Sequence, residues 1–178
     1  MNALTPQLID FIAQQPVFFV ATAAAEGRVN VSPKGMDTLR VDAPDRIRWL
    51  NLTGSGNETA AHVAATGRMT LMFSSFTKMP LTLRVYGRAS VVHPRDENWS
   101  EVVGDFPDLA GSRQVFDLAV EEVATSCGSG VPVMTLDAIR ADEELEPHYA
   151  AMSDEELHDY WTRKNVTSID GLPTRIFE

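Results

Sequence analysis

Short β-prone runs, each closed by a turn signal, fill the first two-thirds of this chain and leave room for little except an antiparallel sheet folded on itself. Val17 to Thr22 is a compact β-prone run of valine, phenylalanine, alanine and threonine. Glu26-Gly27 is a turn signal, and Val29 and Val31 then alternate with Asn30 and Ser32, so the two runs predict a hairpin with one face buried. After the turn-rich stretch Asp42-Ala43-Pro44-Asp45 comes a third alternating run, Arg46 to Leu52. Met69 to Phe76 is a fourth, and Leu81 to Val92 a long fifth in which Gly87 marks a bulge or bend. Gln114 to Val123 reads as a sixth because Phe116, Leu118 and Val120 alternate, although Val115, Leu118 and Glu122 also permit a helix.

Helical signals are concentrated elsewhere. Thr5-Pro6 is an N-cap followed by proline at the first helical position, and Leu8, Ile9, Phe11 and Ile12 recur at helical spacing until about Gln15, where Pro16 stops them. Ala60 to Ala65 is rich in strong helix formers, with Gly67 placed as a C-terminal cap. Pro94 to Val103 and Asp137 to about Leu145 read as helices. Ser153-Asp154-Glu155-Glu156 is a capping box opening a helix to about Lys164, and the tail from Asn165 is irregular. The expected fold is mainly β: one small antiparallel barrel with peripheral helices. Residues 1–178 form a single domain with a helical extension from about 137, a length that suits one hydrophobic core.

Charge narrows the function. Fifteen Lys+Arg against 25 Asp+Glu give a net charge of −10, a field that repels nucleic acid and anionic membrane surfaces, and no basic stripe overturns it. No apolar run approaches the ~20 residues of a membrane span, and Met1 is not followed by a basic and then an apolar segment, so a cytoplasmic protein is expected. Cys127 is the one cysteine, and His62, His93, His148 and His158 show no metal-ligand spacing, so no metal site is expected.

Four features carry chemistry. Thr53, Gly54, Ser55, Gly56, Asn57 and Thr59 form a polar, glycine-rich turn between a strand and a helix. Unpaired N–H groups at the helix start and close backbone approach at the glycines make a phosphate cradle. The same residues also serve as a tight turn with Asn57 or Ser55 as a plain N-cap. Arg28, Val29, Asn30, Val31, Ser32 and Lys34 form a strand flanked by two cations, able to carry a planar cofactor along its backbone or simply to lie at an edge with solvated charges. Arg84 stands in an otherwise apolar strand, where burial requires an anionic partner. Ser126 and Cys127 open a glycine loop that is better read as structural than as a nucleophile, since no base lies near in sequence.

The order Ala21-Thr22, Arg28 to Gly35, Trp49 to Thr59, Met69 to Phe76 and Leu83-Arg84-Val85-Tyr86-Gly87 resembles the pyridoxamine 5'-phosphate oxidase-like family of FMN-binding split barrels. Ser126 to Pro132 and Ser168 to Pro173 are similar to elements of one bacterial branch. The resemblance implies a six-stranded Greek-key barrel and a homodimer with flavin mononucleotide (FMN) in the cleft between subunits. It implies that the strand matching Arg28 to Lys34 runs along the isoalloxazine and that the turn matching Gly54 to Thr59 holds the phosphate. Two departures stand out. Glu58-Thr59 occupies the place of an Arg-Lys pair, and nothing near the C-terminus matches the Arg-x-His of the pyridoxine site, Thr174-Arg175-Ile176 being a poor substitute.

The expected function is therefore an FMN-binding flavoprotein, an oxidoreductase acting on a small-molecule substrate or electron donor other than pyridoxamine phosphate, with no catalytic residue identified. The cofactor set is Arg28, Val29, Asn30, Val31, Ser32, Lys34, Thr53, Gly54, Ser55, Gly56, Asn57, Thr59, Arg84, Ser126 and Cys127. The alternative is a non-catalytic protein holding a flavin, a flavin-like cofactor or haem for storage or sensing. A Cys127-dependent hydrolase or transferase is a third reading.

Overall fold

The computed structural model describes residues 1–178. Seven strands form one antiparallel sheet: β1 (Phe18–Thr22), β2 (Asn30–Lys34), β3 (Leu39–Ala43), β4 (Arg46–Leu52), β5 (Arg68–Ser74), β6 (Thr82–Val92) and β7 (Ser112–Ser126). Their order is β2-β1-β5-β6-β7-β4-β3. The sheet curls until its two ends meet. Phe18 on β1 packs edge-on to Trp49 on β4 with ring centroids 6.2 Å apart, although three strands separate them in the ladder. Phe73 stacks on Phe18 at 5.9 Å and Phe116 on Trp49 at 4.6 Å, so one aromatic row fills the middle of the barrel. Val20, Ile47, Leu71, Leu83, Val85 and Leu118 complete that core.

The expected barrel is present, with one strand more than the six implied. Leu39–Ala43 pairs with β4 through Leu39 opposite Trp49, and the turn between them is only Pro44-Asp45. Polar pairing holds this strand: the buried Arg48 guanidinium bridges Asp42 on β3, at 2.5 and 2.7 Å, and Asp105, at 2.7 Å. The sheet register shifts between Tyr86 and Gly87, as a bulge requires, and β7 is a strand over its whole length.

Five helices lie outside the barrel. α1 (Pro6–Ala13) is capped by Thr5 and buries Leu8 and Ile12 against the core. α2 (Glu58–Thr66) ends at Gly67 with φ of 68°, the left-handed cap that glycine permits. α3 (Trp99–Val103) is shorter than the expected Pro94–Val103, because Asp96 accepts the His93 N–H and folds residues 93–96 into a turn. Phe106 packs with Leu50 and Val115 and, with Trp99 and Val102 around them, covers the outer face of β4 and β7. The expected helix from Asp137 to Leu145 is absent. A single 3-10 turn at Arg140–Asp142 and the short α4 (Leu145–Ala150) stand there, since the acidic run Asp142-Glu143-Glu144 has no apolar stripe to bury. α5 (Asp154–Lys164) opens with the expected capping box, Ser153 and Glu156 bonding reciprocally. No helix is long and apolar enough to cross a membrane.

A Cβ at Gly87 would collide with the Ala119 carbonyl across the bulge. Gly87→Ala is expected to lower stability by at least ~2 kcal/mol, read as a shifted urea midpoint with unchanged slope. A loss below ~0.5 kcal/mol would mean that the bulge relaxes freely.

Candidate functional site

Barrel closure brings β2 against the end of β4. Lys34 points inward, its Nζ donating to the Asn51 side-chain oxygen at 3.1 Å and lying 5.3 Å from the centre of the Trp49 ring. Asn51 donates in turn to the Gln114 side chain at 3.3 Å. Lys34 and Asn51 line a cleft of about 230 Å³ that continues past Thr53, Gly54 and Gly56 to Arg113. Met36 and Asp37 turn the chain at its rim with φ of 67° and 54°, strained values for non-glycine residues.

Arg113 decides the electrostatics of this cleft, and the sequence reading missed it. The residue is only 4% exposed, and its guanidinium donates to the Gly54 and Gly56 carbonyls at 3.0 and 2.9 Å. Its Nε has no partner. Burial pulls its pKa down to about 10, against through-space support from Tyr149, Tyr160 and Glu58. Burial, followed by the charge of Arg113, pulls Lys34 down to about 8. The cleft is thus lined by two cations and no carboxylate, in a chain whose net charge is −10.

The glycine turn is held from outside by α5 and the segment after it. Asn165, fully buried, donates to the Gly54 carbonyl at 2.8 Å, and the Trp161 indole donates to the Thr53 hydroxyl at 2.9 Å. Asn57 makes no side-chain cap on α2; its amide donates instead to the carbonyls of Lys164 and Thr167. Glu58 accepts the Asn57 N–H at 3.0 Å and the Ile169 N–H at 3.1 Å. Ser55 is exposed. Neither Gly54 nor Gly56 has a positive φ, and a Cβ at Gly54 would meet nothing within 4 Å, so the fold does not demand glycine there.

The remaining expected residues divide between two places. Asn30 joins β2 to α2, donating to Thr59 at 3.1 Å and, more weakly, to Thr22, which is itself bonded to the buried His62 at 3.1 Å; Ser32 donates to Asn30. Arg28 is exposed and ion-paired with Asp170, which also accepts its backbone N–H at 2.7 Å. Val29 and Val31 face outward, 71% and 61% exposed. Arg84 is not the buried cation expected. Strand register puts it in the outer row Pro33-Phe19-Met72-Arg84-Ala124, while Lys34 belongs to the inner row Lys34-Phe18-Phe73-Leu83-Thr125. Arg84 is half-buried and donates to the Ser126 hydroxyl at 3.0 Å. Cys127 is exposed, and hydrogen bonds from the Ser129 hydroxyl and N–H lower its pKa. Within one chain, Arg84 and Ser126 lie on the opposite face of the sheet from Lys34, and Cys127 follows the end of β7.

The sequence pattern of pyridoxamine 5'-phosphate oxidase matches residues 4–127. The chain belongs to the pyridoxamine 5'-phosphate oxidase family. A member of that family from Aspergillus flavus, the pyridoxamine 5'-phosphate oxidase family protein ustO, is 34% identical over 188 residues, spanning 97% of this chain and 76% of its own. Among solved structures, a candidate pyridoxamine 5'-phosphate oxidase of Lactobacillus delbrueckii superposes with a TM-score of 0.56 at 24% identity, over 70% of this chain and 95% of that one. A pyridoxamine 5'-phosphate oxidase-related, FMN-binding protein of Nostoc punctiforme superposes with a TM-score of 0.53 at 11% identity, over 74% and 89%. These two likenesses carry the split-barrel fold of the family to this chain.

Buried and exposed tethers of the C-terminal segment should differ in strength. Asn165→Ala removes one of two donors to the Gly54 carbonyl and leaves the buried Asn57 side-chain oxygen without its partner, and is expected to cost about 1–3 kcal/mol, whereas Arg28→Ala breaks an exposed ion pair and should cost less than about 1 kcal/mol. Denaturant melts of the two variants test that order, and its reversal would show that the Arg28–Asp170 pair, not Asn165, is the stronger hold on the C-terminal segment.

Proposed function

We propose that this chain is an FMN-binding flavoprotein of the pyridoxamine 5'-phosphate oxidase family and that it works as an oxidoreductase on a small molecule other than pyridoxamine phosphate. The observation that carries this reading is the pairing of Lys34 and Arg113 in a cleft without a carboxylate. Two like charges that burial already disfavours are stabilised by an incoming anion. FMN offers an anionic phosphate, and a flavin ring that becomes anionic on reduction. The donor set fits it: Lys34 and Arg113 supply charge, Asn51 and Thr53 supply polar groups, and the open side of Gly54 admits close backbone approach. FMN when bound would supply the hydride chemistry. The protein's part is to hold the ligand, to fix positive charge beside it and to keep Trp49 and Phe18 packed beneath the Lys34 stem.

The cleft is too small for a whole flavin nucleotide, and a second copy of the chain would complete it. The outer faces of β2, β1, β5 and β6 present Val29, Val31, Pro33, Phe19, Met72 and Tyr86, an apolar surface suited to a homodimer that would bring the Arg84 row of one copy toward the β2 of the other. Val31→Glu is expected to shift the protein to monomer in sedimentation equilibrium and to weaken FMN binding with it. A dimer unchanged by Val31→Glu would place the interface elsewhere.

Flavin binding is read from absorbance and fluorescence titration with FMN followed by desalting. The wild type is expected to retain FMN, and Lys34→Gln to lose at least tenfold in affinity. Because Lys34 titrates at about 8, FMN affinity should fall as pH rises through that value, and Lys34→Arg should remove the dependence. The sign is opposite for the ligand-free protein. A lysine whose pKa falls from 10.5 to about 8 on folding costs stability below pH 8, and that cost is relieved as pH rises across the window. A wild type that takes up no FMN overturns the reading.

A further inference from the structure

The chain supplies its own carboxylate where α2 and the glycine turn would otherwise receive an anion. Glu58 is the first residue of α2, and its two oxygens are both engaged: Oε2 accepts the Asn57 N–H and Oε1 the Ile169 N–H. Burial raises its pKa, but the N–H groups of Glu58 itself, Asn57 and Ile169 outweigh that effect and hold the side chain ionised. One residue further along, Asp170 takes the Arg28 N–H and guanidinium. The carbonyls of Gly54 and Gly56 are turned toward Arg113. The Asn57 N–H at this helix start is therefore bound to a protein carboxylate, and a second anion placed there would meet like charge. Lys34 and Arg113 are in the reverse condition. Arg113 is more than nine-tenths buried, its Nε is unpartnered, and neither cation has a carboxylate in the cleft.

We infer that Glu58 is a specificity-determining residue: it closes the α2 N-terminus to phosphate and leaves the Lys34–Arg113 cleft as the seat for a ligand's anionic group. The inference shares its cleft with the flavin reading but requires no flavin. The ligands admitted would be those whose phosphate or carboxylate reaches Lys34, not those that present it to the helix.

Equilibrium dialysis with inorganic phosphate tests this on the full chain. The wild type is expected to take one phosphate per chain, Lys34→Gln to weaken that binding at least tenfold, and Glu58→Gln to add a second phosphate. Glu58→Ala repeats the last arm if the glutamine variant does not fold. The inference is overturned if the wild type binds no phosphate or two, if Lys34→Gln leaves binding unchanged, or if removing the Glu58 charge leaves the count at one. The same variants titrated with FMN and riboflavin separate the two readings. Failure to bind either flavin, with the phosphate pattern intact, removes the flavin reading alone. A Lys34→Gln variant that keeps the wild-type preference between FMN and riboflavin counts against the Lys34–Arg113 seat.

Discussion

Phe18 and Trp49 are the contact on which the site depends. They sit on strands separated by three others, and the sheet must curl through its whole width for their rings to meet. Right-handed strand twist allows the curl, and burial of the aromatic row rewards it. Once the ends are joined, β2 lies beside the end of β4, and the inward residues next along the two strands become neighbours. Lys34 then has nowhere to go but over Trp49 and onto Asn51. The cation in the cleft follows from an apolar contact one layer below it.

Electrostatics separates the two halves of the site. On the α2 side, protein anions already satisfy the local donors through Glu58 and Asp170. On the β2 side, Lys34 and Arg113 keep their charge at neutral pH in spite of burial, with only amide and carbonyl partners. An acidic chain can hold an anionic ligand because charge is balanced locally, within a few ångströms, while the net field acts over longer range and is screened by salt.

The barrel was legible in the sequence because period-two alternation and turn residues report directly on half-buried strands. The Gly87 bulge, the Gly67 cap and the Ser153–Glu156 capping box were legible because each rests on one residue type with one physical reason. β3 was not, because Asp42 and Pro44 look like turn residues and the strand is held by an ion pair to Arg48 that no local pattern announces. Alternation also says that Arg84 faces away from Leu83 and Val85, which weakens the case for burying it. Arg113 gave no signal: it opens an apolar strand, and its partners are carbonyls on a turn nearly sixty residues away in sequence. Lys34 and the Thr53–Gly56 turn were found and do share a cleft, whereas Arg28, Arg84 and Cys127 lie outside it.

The tethers that hold the glycine turn come from far down the chain, the Asn165 contact with Gly54 spanning 111 residues. Barrel strands end at Ser126, so the core can collapse on contacts that are complete before that segment has left the ribosome. The turn cannot take its final shape until Asn165 and Ile169 arrive. A chain without Asn165 and Ile169 would keep every barrel strand and lose the tethers of the turn, so the cleft is the part of the molecule that depends on the C-terminal segment.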